Sequence, residues 1–253
     1  MGIGVVMADY DLMEAVKQVY AQSSGAKGIV FPSVWIPLNN DLQMLAGNGN
    51  GTRIININGT AASIEDGTTA VLTRASIATY IDKDGVLKTA ADNEPRFGKD
   101  GLLLEPTATN LISSSSILST NTVTVGAGTH TLSFYGTGSV VLSGAATGTL
   151  TGTGINNRVV LTVTTTVGAL SMTVTGTCTN AQLETGTVVT SYIPTSGAQV
   201  TRAADRFYIP KANNNCSRFY TESTQITPIV TASELEFKPP TGSVYLRNLR
   251  GYY

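Results

Sequence analysis

Residues 121–176 read NTVTVGAGTHTLSFYGTGSVVLSGAATGTLTGTGINNRVVLTVTTTVGALSMTVTG, and this stretch decides the fold. Apolar residues alternate with Thr or Ser through most of it, as in Thr122-Val123-Thr124-Val125 and Leu161-Thr162-Val163-Thr164. A period of two with many β-branched residues is typical of strands, because successive side chains point to opposite faces of a sheet. Glycines divide the stretch into pieces of about 5 to 8 residues, the ordinary strand length. We therefore predict a mainly β protein containing an antiparallel β-sandwich of the jelly-roll kind.

Charge is nearly absent around this stretch. Between Thr107 and Thr201 the only formally charged residues are Arg158 and Glu184. One explanation is that threonine is simply a good solvent-facing strand residue. The other is that these faces contact further subunits, where unpaired charges are costly and hydroxyls are easily satisfied. We favour the second, which predicts a homo-oligomer.

The composition of the whole chain excludes several classes of protein. Its 253 residues carry 16 basic and 17 acidic side chains, so no basic surplus for binding nucleic acid is present. A hydrophobic content of 42% with a net charge of -1 is the opposite of a disordered chain. No window approaches the roughly 18 apolar residues of a membrane span, and no secretory signal is recognisable. We expect cytoplasmic synthesis, no membrane insertion and no nucleic-acid partner.

The ends of the chain differ from its middle. In residues 1–71, a helical spacing joins Tyr10, Met13, Val16 and Tyr20, and Asn-Gly pairs predict hairpins after the helix. The short helix either packs against its own domain or docks onto another subunit. Residues 206–253 regain charged and aromatic residues and are predicted to form a β-rich region that packs with the N-terminal base, with a terminal strand at 243–250.

No constellation of residues predicts catalysis or a metal site. His130 is the only histidine, and the sole carboxylate in its region is Glu184, so a Ser-His-acid triad is not expected. Asp82-Lys83-Asp84-Gly85 lacks the later ligands of a calcium loop and is predicted to be a hairpin turn. Cys178 and Cys216 lack metal-site spacing, and we expect free thiols, although their pairing stays open. We predict no cofactor and no enzyme activity.

Two longer segments bracket the Thr-rich stretch. The first contains Leu72-Thr73-Arg74-Ala75, then Ala90-Ala91-Asp92-Asn93-Glu94-Pro95-Arg96-Phe97, then Gly101-Leu102-Leu103-Leu104-Glu105-Pro106-Thr107-Ala108-Thr109-Asn110-Leu111. The second contains Asn180-Ala181-Gln182-Leu183-Glu184-Thr185-Gly186, then Thr190-Ser191-Tyr192-Ile193-Pro194-Thr195-Ser196-Gly197, then Val200-Thr201-Arg202-Ala203-Ala204-Asp205. Together they resemble a carbohydrate-binding-like β-sandwich module of tailed-bacteriophage and prophage structural proteins. The resemblance covers residues 72–205.

The bracketing segments also carry expectations about local structure. The similarity of Leu72-Thr73-Arg74-Ala75 to Val200-Thr201-Arg202-Ala203 suggests that the first and last strands of the module lie close together. We expect Glu105 or Glu184 to pair with an arginine of these segments, namely Arg74, Arg96 or Arg202. In a charge-poor domain such pairs would fix loops in place.

The resemblance implies a structural component of a tailed-phage virion, such as a tail fibre, collar fibre or receptor-binding subunit. Its partners would be other virion proteins and a host surface glycan, and family analogy implies a homotrimer. The candidate sugar-stacking residues are Tyr135, Tyr80 and Tyr192, with Tyr135 facing outward because Phe134 faces the core. The candidate attachment residues are the helical set Tyr10, Met13, Val16 and Tyr20. Two alternatives remain: a capsid decoration protein or head fibre without a ligand, and a glycan-degrading tail enzyme.

Overall fold

The computed structural model describes residues 34–36, 38, 70–210, 218–221, 224–226, 228–230, 234–237 and 242–252. All regular elements within these ranges are β-strands, and none of them is a helix. The protein is therefore mainly β, as predicted. The predicted N-terminal helix and its residues Tyr10, Met13, Val16 and Tyr20 lie outside the described residues. In the described ranges no helix is long and apolar enough to cross a membrane.

The strands are short and follow one another closely along the chain. They are β1 (Val34–Ile36), β2 (Val71–Thr73), β3 (Ala78–Ile81), β4 (Leu87–Ala90), β5 (Phe97–Gly98), β6 (Gly101–Leu104), β7 (Ala108–Asn110), β8 (Asn121–Val125), β9 (Gly128–Gly136), β10 (Ser139–Gly144), β11 (Gly148–Thr151), β12 (Gly154–Thr165), β13 (Gly168–Thr175), β14 (Cys178–Thr185), β15 (Val200–Arg202), β16 (Arg206–Pro210), β17 (Arg218–Thr221), β18 (Thr224–Ile226), β19 (Ile229–Val230), β20 (Glu234–Phe237), β21 (Val244–Leu246) and β22 (Leu249–Tyr252).

The chain divides into two compact units. The module unit consists of Leu72–Phe207 and Lys238–Tyr245, and the terminal unit of Met1–Val71, Tyr208–Phe237 and Leu246–Tyr253. The module unit begins at Leu72, which is also the first residue of the predicted module. Its second segment, Lys238–Tyr245, falls within the C-terminal region that the sequence predicts. The structure assigns this segment to the module unit, where Ser243 donates a hydrogen bond of 2.6 Å to Glu105.

Two antiparallel sheets form the centre of the module unit. One has the strand order β11-β10-β13-β8 and the other the order β12-β9-β14. Both sheets contribute side chains to one apolar core. The buried aliphatic and aromatic residues of this core come from alternating positions along the strands. Its most buried members include Leu132, Phe134, Val140, Leu170, Met172, Ala181 and Leu183. The period-two pattern of the sequence thus identified the residues that face this core.

Strand β9 departs from the simple pattern of one buried and one exposed face. Leu132 and Phe134 face the apolar core. Their neighbours Thr131 and Ser133, whose side chains point to the other face of the strand, are also 0% exposed. Thr131 Oγ1 donates a 2.7 Å hydrogen bond to the carbonyl oxygen of Gly186, in the loop that follows β14. The loop therefore covers the polar face of the strand, which alternation of residue types could not predict.

Backbone segments at the ends of these strands pack closely against each other. A Cβ atom at Gly152 would lie 2.2 Å from the carbonyl oxygen of Gly136, and one at Gly138 would lie 2.6 Å from the carbonyl oxygen of Thr175. Both distances are far below van der Waals contact. Glycine is therefore required at these positions because two backbone segments approach each other, not only because a turn occurs there.

The predicted hairpin at Asp82–Gly85 is confirmed. Strands β3 and β4 pair antiparallel, and the Asp82 carboxylate accepts hydrogen bonds from the backbone nitrogens of Asp84 (3.0 Å) and Val86 (2.8 Å). Gly85 adopts a φ of 80°, in the left-handed region that glycine tolerates. The carboxylate of Asp82 thus closes a turn.

In the terminal unit, β1, β22, β17 and β18 form an antiparallel sheet in that order. Phe219 and Phe237 pack edge to face with ring centroids 5.4 Å apart, a favourable aromatic arrangement. The single terminal strand predicted at 243–250 is wrong. The segment forms the separate strands β21 and β22, and Asn248 between them has a φ of 55°, which an extended strand does not allow.

Candidate functional site

A buried cluster of five charged side chains connects the two segments that bracket the Thr-rich strands. Each of its members, Arg74, Arg96, Glu105, Arg202 and Asp205, is at most 2% exposed. Arg74 Nη1 lies 3.0 Å from Asp205 Oδ1, and Arg96 Nη1 lies 2.7 Å from Glu105 Oε2. Arg96 Nη2 also bonds Asp205 Oδ2, and Arg202 Nη2 lies 3.6 Å from Glu105 Oε2. The first and last parts of the module are therefore held together by ion pairs.

The same arginines also hold loop backbone in place. Arg74 donates hydrogen bonds to the carbonyl oxygens of Ser76 (2.8 Å), Ala91 (2.6 Å) and Glu94 (3.1 Å). Arg202 Nη2 donates to the carbonyl oxygen of Pro106 at 2.7 Å. Buried carbonyl groups in irregular segments need such donors, since no neighbouring strand satisfies them. The expected loop-fixing role of these side chains is confirmed.

The pairing prediction is confirmed for Glu105 only. Glu105 pairs with Arg96 and Arg202, whereas Glu184 forms no ion pair with any described lysine or arginine. Arg74 pairs instead with Asp205, for which the sequence predicts no partner. The bond between Arg74 and Asp205 spans 131 positions of the chain. Sequence spacing contains no signal for such a contact.

Glu105 is the carboxylate with the most donors in this cluster. Burial by itself would raise its pKa, but the guanidinium groups of Arg202 and Arg96 and hydrogen bonds from Ser191 and Ser243 outweigh that effect. The result is a pKa of about 2. Glu105 is therefore ionised throughout the neutral and mildly acidic range and accepts hydrogen bonds without donating one.

This pKa makes the stability of the module unit acid-sensitive. The folded-state pKa of Glu105 is about 2, below its ordinary value of 4.5, so its stabilising effect is complete above pH 4.5 and is lost as the pH falls towards 2. We expect Glu105→Gln to be less stable than the wild type at pH 7 and the difference to shrink by roughly 3 kcal/mol by pH 2. Urea unfolding at a series of pH values measures this difference. Asp100→Asn, at an exposed site, is the control for loss of one carboxylate. A difference independent of pH would contradict the prediction.

Polar side chains, among them Arg158, Ser133 and Gln182, cover the outer face of the β12-β9-β14 sheet and form a polar layer there. Arg158 Nη1 donates to the carbonyl oxygen of Thr190 at 2.6 Å, and its Nη2 donates to Ser133 Oγ at 3.0 Å. Gln182 Nε2 donates to the carbonyl oxygen of Ser191 at 3.1 Å. The segment after β14 is thus bonded across this face of the sheet, and the guanidinium group of Arg158 is turned inward.

The ring of His130 is buried between threonine hydroxyls. It is 3% exposed, its Nδ1 lies 3.0 Å from Thr165 Oγ1, and its Nε2 lies 3.5 Å from Thr185 Oγ1. Neither contact includes a carboxylate that could orient the ring for catalysis. In the part of the chain that the structure describes, no group of three His, Cys, Asp or Glu side chains is arranged to hold a metal ion.

The three tyrosines proposed as sugar-stacking residues occupy different environments. Tyr135 lies in β9 and is partly exposed, and its neighbour Phe134 is 0% exposed, so their predicted outward and inward orientations are confirmed. Tyr80 lies in β3 and is also partly exposed. Tyr192 is only 6% exposed, and its hydroxyl hydrogen bonds with Ser115 Oγ at 2.8 Å. A ring buried in this way presents no face for stacking, which corrects the choice of Tyr192.

A groove of about 440 Å³ opens beside the polar layer of the module unit. One wall consists of residues 106–109, and the other consists of residues 184–188 and Thr190. Five of its ten lining residues are threonines, one is Glu184, and none is a lysine or an arginine. Its volume lies within the usual range of small-ligand sites. The groove could not be predicted from the sequence, because its walls come from segments far apart in the chain.

Comparison of the chain with protein-family models, with curated proteins and with solved structures finds no match.

Proposed function

We propose that this chain is a structural, non-enzymatic component of a tailed-phage virion, a fibre or receptor-binding subunit that displays a carbohydrate-binding-like module. The observation that carries this proposal is the buried ion cluster. Arg74, Arg96 and Glu105 belong to the first segment of the resemblance, and Arg202 and Asp205 belong to the second. The charged residues of the two segments thus meet in one buried cluster, which supports a structural role for them in a displayed module.

The proposal includes a β-sandwich of the jelly-roll kind for the module. Two antiparallel sheets that contribute to a single apolar core support it. Strand β12 at one sheet edge exposes Val160, and the turn before β13 exposes Val167 at 77%. These surfaces carry little charge, which favours contacts with other subunits.

The proposed partners are other virion proteins, further copies of the chain in a homotrimer, and a host surface glycan. The proposed attachment residues are Tyr10, Met13, Val16 and Tyr20, whose spacing suits one helix face. Repetition of the module around a particle would convert a weak single-site affinity for sugar into firm adhesion. The proposed location of the protein is the virion.

No catalytic role is proposed for the carboxylates of the module. Glu105 and Asp205 are buried in ion pairs, and Asp82 closes a hairpin. A glycosidase needs two carboxyl groups facing one sugar ring at a separation of roughly 5 to 10 Å. The enzymatic alternative would require host polysaccharide to be cut into short sugars, which is directly measurable.

A capsid decoration protein or head fibre is the second candidate. Exposed aliphatic residues on a charge-poor surface favour it, since Ile155 is 73% exposed and Ile117 is 72% exposed. Such surfaces suit packing on a virion lattice without any ligand. Immunoelectron microscopy of intact particles, with mass spectrometry of their protein content, distinguishes the two locations. Absence of the chain from purified particles would refute both.

Adhesion predicts a role for the outward ring of Tyr135. We expect Tyr135→Ala to reduce retention of the full chain on host cells several-fold, because an aromatic face contributes on the order of 1 kcal/mol to stacking. Val167→Ala is the control for loss of an exposed apolar surface, since Val167 is 77% exposed in the turn before β13. Retention is measured by flow cytometry with labelled protein. Equal retention on cells with and without the surface glycan would refute the adhesion role.

A further inference from the structure

One lateral edge of the module unit is an open strand. Strand β12, with 12 residues, is the longest strand in the part of the chain that the structure describes, and β9 is the only described strand hydrogen bonded to it. The opposite edge of the same sheet is covered, because Leu111 N donates to the carbonyl oxygen of Leu183 in β14 at 2.9 Å. Along β12, the backbone groups that point away from β9 therefore have no strand partner among the described residues.

The apolar core is incompletely covered at the same edge. Val159, Leu161 and Val163 pack against the core from β12 but are only partly buried, whereas Leu132 and Phe134 of β9 are 0% exposed. Removal of apolar area from water is favourable, so a further strand that covered these side chains would be stabilised. The edge thus combines unpaired backbone groups with uncovered apolar side chains.

Strand β12 also lacks the residues that keep edge strands apart. Natural edge strands often carry charged side chains, especially lysine, or proline, which prevent pairing with another chain. Residues 154–165 contain neither lysine nor proline, and Arg158 is their only charged residue. Its guanidinium group bonds Ser133 Oγ of β9 and the carbonyl oxygen of Thr190, so it is turned over the neighbouring strand and away from the open edge.

We propose that β12 pairs antiparallel with β12 of a second copy of the chain across a two-fold axis. A two-fold contact requires a surface that is complementary to itself, and the residues of β12 meet this condition. With the axis at Leu161, Val159 lies opposite Val163 of the second copy, so apolar side chains meet on the core side. Val160 lies opposite Thr162 on the outer side, and no like charges face each other.

The length of the pairing suits a specific interface. Residues 158–164 oppose one another in this register, in the part of β12 that follows the irregularity between Gly154 and Arg158. An antiparallel pair of this length forms about seven backbone hydrogen bonds, and protein interfaces commonly contain about 5 to 15. The two β12-β9-β14 sheets would then form one continuous sheet, a known mode of association through open edges.

The inference rests on the homo-oligomer of the proposed function and adds the strand and the symmetry of one contact. It does not depend on a location in a virion. A two-fold contact joins single chains in pairs, or joins two trimers where the proposed homotrimer also forms. In both cases the assembled particle contains an even number of chains, and loss of the contact halves its mass.

Val160→Lys tests the open edge. A lysine at this position should prevent the pairing, as charged residues do on natural edge strands. Sedimentation velocity of the full chain over a series of concentrations should give an even number of chains for the wild type and half that mass for the variant. Val141→Lys is the matched control, because Val141 is 46% exposed against 49% for Val160, and its strand β10 has a partner strand on both sides. This control should keep the wild-type mass.

A mixture of two variants tests the register. We expect Thr162→Glu by itself to have half the wild-type mass, as for Val160→Lys. An equimolar mixture of the two should regain the full mass, because the new lysine of one copy lies opposite the new glutamate of the other. Circular dichroism shows whether each variant folds, and if Val160→Lys does not, the mass of Thr162→Glu decides.

Three results would overturn the pairing: a wild-type particle with an odd number of chains, an unchanged mass for both edge variants, or an equal loss of mass in Val141→Lys. The protein content of purified virions tests the proposed function separately. A chain found in virions with an odd number of copies keeps that function without this contact. An even-numbered particle whose mass halves in Val160→Lys, from a chain absent from virions, keeps the contact without that function.

Discussion

Replacing Arg96 with methionine is expected to destabilise the module unit by about 3 to 5 kcal/mol. The Arg96 guanidinium is 0% exposed and bonds both Glu105 and Asp205. Methionine has a similar length but no donor, so two buried carboxylates would lose a common partner. Removal of one member of a buried ion pair is costly because the remaining charge stays desolvated. Loss of this much free energy is a large fraction of the stability of a typical domain.

Urea unfolding followed by circular dichroism measures the Arg96→Met effect. The matched control is Lys88→Met, which removes a surface pair: Lys88 Nζ lies 3.8 Å from Asp82 Oδ2, and the lysine side chain is 52% exposed. Solvent screens such a pair, and the control should change the free energy of unfolding by less than about 1 kcal/mol. Similar effects for the two variants would show that the buried cluster is not a clasp.

Gly152→Ala is expected to destabilise the module unit by about 3 kcal/mol or more. The added Cβ would lie 2.2 Å from the carbonyl oxygen of Gly136 and 3.1 Å from Cε2 of Phe134. The first neighbour is backbone of the central strand β9, so relief requires movement of the sheet and not of a flexible side chain. Overpacking of this kind also displaces a core aromatic ring that is fully buried.

Gly126→Ala is the control for the glycine prediction. A Cβ at Gly126 meets no atom within 4 Å, and its backbone is not in the left-handed region. The change should be neutral or stabilising by up to about 1 kcal/mol, since alanine restricts the unfolded chain. Thermal unfolding of both variants under identical conditions measures the difference. A Gly152→Ala midpoint as high as that of Gly126→Ala would contradict the close approach of the backbones.

Much of the fold of the module could be predicted because its signals are local. Alternation of apolar residues with threonine identified the strands, and Asp-Gly identified the hairpin turn at Gly85. The adjacent pair Phe134 and Tyr135 showed which ring points inward. These signals depend on residues a few positions apart, where backbone geometry alone decides the outcome.

The candidate sites were less predictable because they depend on distant segments. Asp205 bonds Arg96 across 109 positions, and the hydroxyl of the buried Tyr192 bonds Ser115, which lies 77 positions away. The groove forms only when residues 106–109 come to lie beside residues 184–188. No periodicity or motif in the sequence predicts contacts between segments so far apart in the chain.

The sequence by itself determined a mainly β chain and the residues that face its apolar core. The tertiary structure alone decided that Glu105 and Asp205 share buried arginines, that Tyr192 is covered, and that residues 106–109 and 184–188 line a threonine-rich groove. The physical reason is that side-chain direction follows from local backbone geometry, whereas burial and ion pairing depend on which distant segments fold together.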